Sequence, residues 1–319
     1  MTERSKECDQ PSKTGANQRE GGKGEAAQKP ASSMIDVDLF AQSNSGSVGP
    51  NNEDQYLAVR VERSLKRVLS NLPDDLLPQK SEETAYGMCV ADGIGAMPAG
   101  NLASALALST LLDLVVATPD WIMRINHRKA AVVKRRMTQR FRKIDAALRT
   151  RSESDPRLFG MGTTLTVACS LGDDLFLAHI GDSRAYLLRE DELHQLTRDH
   201  TLAQAMIDAG VAGPEDAAVQ GLRGVLTAAL GSTYSPTDPQ VRRVRLASGD
   251  QLLLCTDGLT EYLDSDGIRS VLREASSSNA ACGELIQTAL SAGCTNDIAV
   301  VLARYRFPSA TRRQDSEVQ

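Results

Sequence analysis

The sequence predicts an α+β fold in which helices pack on antiparallel sheets. Three observations predict it. Apolar runs of strand length recur along the chain, several are joined by turns too short for a crossover, and two long helical patterns stand together between two groups of strands. A repeated strand–helix–strand unit would alternate them instead.

The strand-length runs, rich in β-branched residues or Leu, are 55–61, 86–90, 164–170, 175–180, 185–188, 251–255 and 298–304. Gly172-Asp173-Asp174 reads as a hairpin turn, and Glu190-Asp191 as a second one joining Leu188 to Leu193. Helical spacing covers 99–117, where small and apolar residues crowd one face. It returns at 121–149, where Ile122, Ile125, Val132, Val133, Met137, Phe141, Ile144 and Leu148 alternate with basic positions. Shorter helices are expected at 202–209 and 280–292. Residues 63–80 form an insert whose Leu65, Val68, Leu69 and Leu72 precede Pro73, read as a hairpin extension or a short helix.

From residue 1 to 33 the chain has almost nothing to bury, so it cannot offset the entropy of ordering; 308–319 is similar. Two disordered tails are therefore expected around one domain at 34–307. The net charge of −5, with Lys and Arg spread along the chain, argues against nucleic acid. No run of about 18 apolar residues stands out, which argues against a membrane. The six cysteines form no C-x-x-C pair, and Cys89, Cys169 and Cys255 lie in apolar runs. They read as buried thiols in a reducing compartment, the cytoplasm.

Five times an apolar run meets an acidic residue at its edge: Asn52-Glu53-Asp54, Ala91-Asp92-Gly93, Gly181-Asp182-Ser183-Arg184, Thr256-Asp257-Gly258 and Asn296-Asp297. Each Asp-Gly alone is a common turn. Together they bring like charges to the end of a core, where burial and repulsion raise carboxyl pKa values. A cation resolves that conflict. Carboxylates without nearby His or Cys suit Mg²⁺, Mn²⁺ or Ca²⁺ rather than Zn²⁺. Two such ions about 3.5–4 Å apart can make hydroxide from water at neutral pH, so phosphoester hydrolysis needs no protein nucleophile.

At these residues the chain resembles the metal-dependent protein phosphatases of the type 2C, or PPM, class in their bacterial form. The resemblance runs from about Ser43 to Tyr305 through Gly49-Pro50-Asn51-Asn52-Glu53-Asp54, Val90-Ala91-Asp92-Gly93-Ile94-Gly95, Gly160-Met161-Gly162-Thr163-Thr164, Ala178-His179-Ile180-Gly181-Asp182-Ser183-Arg184, Asp199-His200-Thr201, Leu226-Thr227-Ala228-Ala229-Leu230-Gly231, Leu253-Leu254-Cys255-Thr256-Asp257-Gly258 and Asn296-Asp297-Ile298. It implies a four-layer αββα sandwich, two antiparallel sheets flanked by helices, with two Mg²⁺ or Mn²⁺ ions between the sheet ends. Asp92 is implied to bridge the ions, Asp257 and Asp297 to hold one, Asp54 and the Gly93 carbonyl to serve the other, and Glu53 to act through water. Asp182 matches the position for a third, weaker ion. The span between Thr201 and Leu226 matches a flap beside the site. The implied activity is hydrolysis of phosphoserine and phosphothreonine in proteins, the partners being phosphorylated substrates of a Ser/Thr kinase or the kinase itself, in signal transduction.

The chain departs from the family pattern at three places. An Arg that family members commonly carry before Asn-Glu-Asp, where it clamps phosphate, is replaced by Gly49 or a shortened loop. Ile94 stands where many eukaryotic members have His, which leaves leaving-group protonation to water at the metals. Ala96 and Ala228 replace a Gly and an Arg that touch no implied ligand. The loss at Gly49 motivates an alternative, a pseudophosphatase-like module that binds phosphoproteins with weak activity. A calcium-binding structural protein is disfavoured by the lack of EF-hand spacing. Elsewhere, His179 reads as a satisfied core residue, His200 as part of a helix start capped by Asp199 or Thr201, and the basic 124–149 stretch as a solvated helix face.

Overall fold

The computed structural model describes residues 35–47, 51–66, 68–69, 72–73, 80–96, 98–117, 127–232 and 238–308. The expected N-terminal tail, nearly all of the C-terminal one and Gly49 lie outside the described residues.

One sheet contains, in spatial order, β1 (Asp36–Asn44), β11 (Ile298–Arg306), β10 (Gln251–Cys255), β7 (Arg184–Arg189) and β8 (Glu192–Gln195). The other runs β2 (Asp54–Lys66), β3 (Lys80–Ile94), β5 (Leu165–Leu171), β6 (Asp174–Ile180) and β9 (Gln240–Arg245), with the short β4 (Gly162–Thr163) beside the end of β3. Every pairing is antiparallel. The expected αββα sandwich is what the chain forms.

The central strands read as continuous apolar runs because both of their faces are buried. Leu252 and Leu254 of β10, with Ala299, Val301 and Ala303 of β11, point into the core between the sheets, where they meet Met88, Val90, Ala168, Leu175 and Leu177 of the opposite sheet. The alternate residues Leu253, Cys255, Val300 and Leu302 face outward onto α5 (Asp257–Thr260), α6 (Ser265–Glu274) and α7 (Ser278–Ser291). On the far side, α1 (Ala99–Val116) and α2 (His127–Ser154) cover Cys89, Ala91, Leu165, Val167 and Phe176.

Helix α1 corrects one expectation. By length and composition it is apolar enough to cross a membrane. Its small face, Ala99, Gly100, Ala103, Ser104 and Ala107, is buried against β3, and the small side chains let helix and strand approach closely.

In the insert at 63–80, β2 and β3 stay paired out to Lys66 opposite Lys80, a hairpin extension, while most of 67–79 lies outside the described residues. Residues 190 and 191 turn the β7–β8 hairpin with positive φ at both Glu190 and Asp191, the geometry that matches strand twist. The span after Thr201 holds α3 (Leu202–Asp208) and α4 (Ala217–Gln220), and an isolated antiparallel bridge between Thr201 and Leu226 closes its base.

Truncating the fully buried Leu254 to Ala should lower unfolding stability by about 3 kcal/mol through lost transfer energy and a residual cavity. Val116→Ala, at a position 75% exposed, should change it by under about 0.5 kcal/mol. Urea unfolding of both variants checks this. Equal effects would show that the intersheet layer is not the stabilising core.

Candidate active site

The antiparallel order brings the acidic strand ends together. Asp54 opens β2 and lies directly opposite Asp92 near the end of β3. Asp182 sits in the turn from β6 to β7, Asp257 follows β10, and Asp297 precedes β11. Strands that alternate in direction place all five at one end of the sandwich.

One carboxylate oxygen each from Asp92, Asp182 and Asp257 lies within 4.8 Å of the others. Asp54 is buried beside Asp92, its partner across the β2–β3 ladder. Its Oδ2 accepts the Thr256 hydroxyl proton at 2.5 Å, and that hydroxyl accepts the Ala299 N–H at 2.8 Å. Asp297 is placed differently from the trio. Its Oδ1 accepts the Gly46 N–H at 2.8 Å and its Oδ2 accepts the Glu53 N–H at 2.6 Å. Each oxygen keeps a second lone pair, so Asp297 combines loop fixation with a share in the acidic cluster.

The backbone beneath Asp92 is tied down by hydroxyl groups. The Asp92 N–H donates to Thr164 Oγ1 at 3.0 Å, while the Thr163 hydroxyl and the Thr164 N–H both donate to the Asp92 carbonyl. Gly93 donates its N–H to the Glu53 carbonyl, and a Cβ at Gly93 would lie 2.1 Å from the Gly100 oxygen. Only glycine lets the N-terminus of α1 come this close to the strand end.

Burial is the leading cause of every carboxyl shift here. It raises Asp54 and Asp92 well above the ordinary carboxylate range, and the charges of their acidic neighbours add to it. Burial and then Asp257 raise Asp182 to about 8; burial and then Glu261 raise Asp257 to about 6. Glu53 is raised by burial and by Asp297. Two buried oxygens, Glu53 Oε1 and Asp182 Oδ1, have no hydrogen-bond partner. An all-oxygen, anionic donor set with unpartnered acceptors fits hard divalent cations and nothing softer.

Sequence reasoning placed the acidic residues but not their supports. Thr163, Thr164, Ser183 and Thr256 occur inside the quoted motifs, yet their contacts span up to 202 positions, which no local pattern encodes. At the expected helix start the cap is Thr201, whose Oγ1 accepts the Gln204 N–H, while Asp199 pairs with Arg184 instead. His179 is only half satisfied: Nδ1 bonds the Thr166 hydroxyl, and Nε2 has no partner.

The family profile described as Protein phosphatase 2C matches residues 69–292. The serine/threonine protein phosphatase PstP of Mycobacterium tuberculosis is 34% identical over 234 residues, 72% of this chain and 43% of that protein. The chain thus spans less than half the length of that relative. Protein phosphatase PhpP of Streptococcus pneumoniae is 34% identical over 214 residues, 67% of this chain and 83% of the relative. Among solved structures, the M. tuberculosis phosphatase PstP/Ppp superposes with a TM-score of 0.67 at 30% identity, covering 85% of this chain and 99% of that one. The PstP catalytic domain in complex with two manganese ions gives 0.67 at 29% identity, covering 86% and 100%.

In metal-free protein the raised carboxyls bind protons in the folded state that the unfolded chain has already released. Stability therefore falls as pH rises through the folded values. The melting temperature of chelator-treated protein should rise from pH 8.5 to 6.5 as Asp182, near 8, takes up its proton. Below that His179, lowered to about 3 by burial, opposes the gain. Mn²⁺ should raise the melting temperature more at pH 8 than at pH 6, because protons compete for the same oxygens. Differential scanning fluorimetry across this range is the check, and a Mn²⁺ shift independent of pH would contradict the assignment.

Proposed function

This chain belongs to the protein phosphatase 2C family, and we propose that it hydrolyses phosphoserine and phosphothreonine in proteins at a two-cation site. Mg²⁺ or Mn²⁺ would be held by Asp54, Asp92, the Gly93 carbonyl, Asp257 and Asp297, with Asp182 serving a third ion and Glu53 acting through water. The observation that carries this reading is the meeting of Asp92, Asp182 and Asp257 within 4.8 Å at the end where Asp54 lies directly opposite Asp92. When bound, such cations neutralise phosphate charge and acidify water to a nucleophile at neutral pH.

The chain's own residues hold and aim the donors. Thr256 directs Asp54, and Thr163 with Thr164 fixes the Asp92 backbone. Asp297 draws the Gly46 and Glu53 amides toward the acidic end and so sets the loop carrying Glu53. Arg184, whose charge acts on Asp182 and Asp257, is neutralised by two-pronged bonding to Asp199. It leaves the anionic character of the cluster largely intact.

Phosphorylated proteins, the products of a Ser/Thr kinase, are the substrates this reading implies, which places the chain in signal transduction. The five free cysteines among the described residues, four of them buried, support the cytoplasm as its compartment. A binding module without turnover, suggested by Gly49, draws no support from relatives named as phosphatases.

Hydrolysis of a phosphothreonine peptide in Mn²⁺ tests the proposal. Asp257→Asn should reduce kcat/KM by about 100-fold or more, about 2.7 kcal/mol of transition-state stabilisation, and chelation should abolish the rate. Equal rates for the variant and the original chain, or none in either, would overturn it.

A further inference from the structure

Asp182 occupies the turn Gly181–Ser183, and its side chain is 7% exposed with Oδ1 unpartnered. Where that carboxylate points is decided by the turn beneath it. Ser183 is held by the opposite strand: its hydroxyl is 2.8 Å from Thr164 Oγ1, and its carbonyl accepts the Thr166 hydroxyl at 3.3 Å. Arg184 is held by Asp199.

Gly181 is held on both its polar groups by one residue. Its N–H donates to His200 Nδ1 at 3.0 Å, and its carbonyl accepts the His200 N–H at 2.8 Å. The pairing matters because Gly181 has φ +110°, a conformation closed to other residues, and a Cβ there would lie 2.5 Å from Thr164 Cβ. Without an acceptor at His200, the Gly181 amide would lose the side-chain partner that holds it, and an unmade hydrogen bond at a part-buried turn is costly.

The His200 ring is itself fixed. It stacks on the fully buried His179 with centroids 5.0 Å apart and planes inclined by 12°, and His179 is anchored through Nδ1 to Thr166. The His200 carbonyl accepts the Thr227 N–H at 2.8 Å. Because an amide only donates, Nδ1 carries the lone pair and the ring proton sits on Nε2. Helix capping does not account for this ring, since Thr201 caps α3.

We propose that His200 is a positioning residue for the Asp182 ligand. Its Nδ1 lone pair holds the Gly181 amide and so sets the turn that aims Asp182 at Asp92 and Asp257. The proposal rests on reading that cluster as a divalent-cation site. Residues that orient a metal ligand in this way typically change affinity by about 10–100-fold when removed.

Mn²⁺ binding to the full, metal-stripped chain, followed by isothermal titration calorimetry, tests it without turnover. Asp182→Asn supplies the benchmark, the loss of the ion that Asp182 helps to hold. His200→Leu, which keeps bulk and removes the acceptor, and His200→Gln, which moves the acceptor one bond outward, should both weaken that same ion about tenfold or more. His200→Asn places an oxygen where Nδ1 was and should stay within about threefold of the original chain, well below that range.

Isotherms for the Leu and Gln variants that overlay the original would overturn the proposal. So would an Asn variant as impaired as Gln, or an unchanged isotherm for Asp182→Asn. If the Leu variant does not fold, the Asn and Gln pair decides alone. A chain that binds Mn²⁺ in the expected order yet hydrolyses no phosphopeptide supports the role of His200 and refutes the phosphatase reading. An active chain whose isotherm ignores His200 does the reverse.

Discussion

Mutual repulsion among buried carboxylates is the constraint around which the active end is built. Three unit charges within 4.8 Å of one another repel by roughly 3 kcal/mol per pair at an effective dielectric constant of about 20. Three such pairs approach the whole stability of an ordinary domain, about 5–15 kcal/mol. The cluster therefore exists either partly protonated or with its charge balanced by cations. The direction of every resolved shift, upward at Asp54, Asp92, Asp182 and Asp257, expresses the first state. The unpartnered oxygens of Glu53 and Asp182 are what the second would use.

Stability for this arrangement comes from elsewhere in the molecule. The three apolar layers, one between the sheets and one under each outer set of helices, draw on alternate residues of the same strands. The carboxylates of the cluster sit at or beside the ends of those strands. A strand end is the cheapest place for them, because the core supplies rigidity on one side and solvent reaches the other.

This division explains what the sequence made legible. Central strands announced themselves as apolar runs, and the acidic ends as abrupt changes of character, so β10, β11 and Asp257 could be read directly. β1 and β9 could not: DVDLFAQSN and QVRRVR are half-exposed edge strands with polar residues interleaved among the apolar ones, and they resemble loops to any test of hydrophobic continuity. Helix α6 was also missed, its apolar Ile268, Val271 and Leu272 being too few in ten residues to stand out. At the site, residue identity revealed the ligand candidates, whereas the Asp297 contacts with Gly46 and Glu53 join segments more than 240 positions apart. Such contacts follow from β11 lying beside β1 and facing β2, a fact of topology and not of local composition.

The supports revealed by the structure share one chemical property: most are neutral hydroxyls. Thr163, Thr164, Thr166, Ser183 and Thr256 are all buried around the carboxylates. A hydroxyl both donates and accepts, so it can stay bonded whether a neighbouring carboxyl is protonated or ionised. Thr256 illustrates this, donating to Asp54 while accepting from the Ala299 amide. Lysine or arginine in those positions would satisfy the carboxylates permanently and leave no charge for a cation to balance. Arg184 does reach this region, and its charge is taken up by Asp199. A scaffold of hydroxyls holds the ligand backbones in place while leaving the charge of the cluster unmet, and unmet charge in a fixed geometry is what gives such a site affinity for divalent ions.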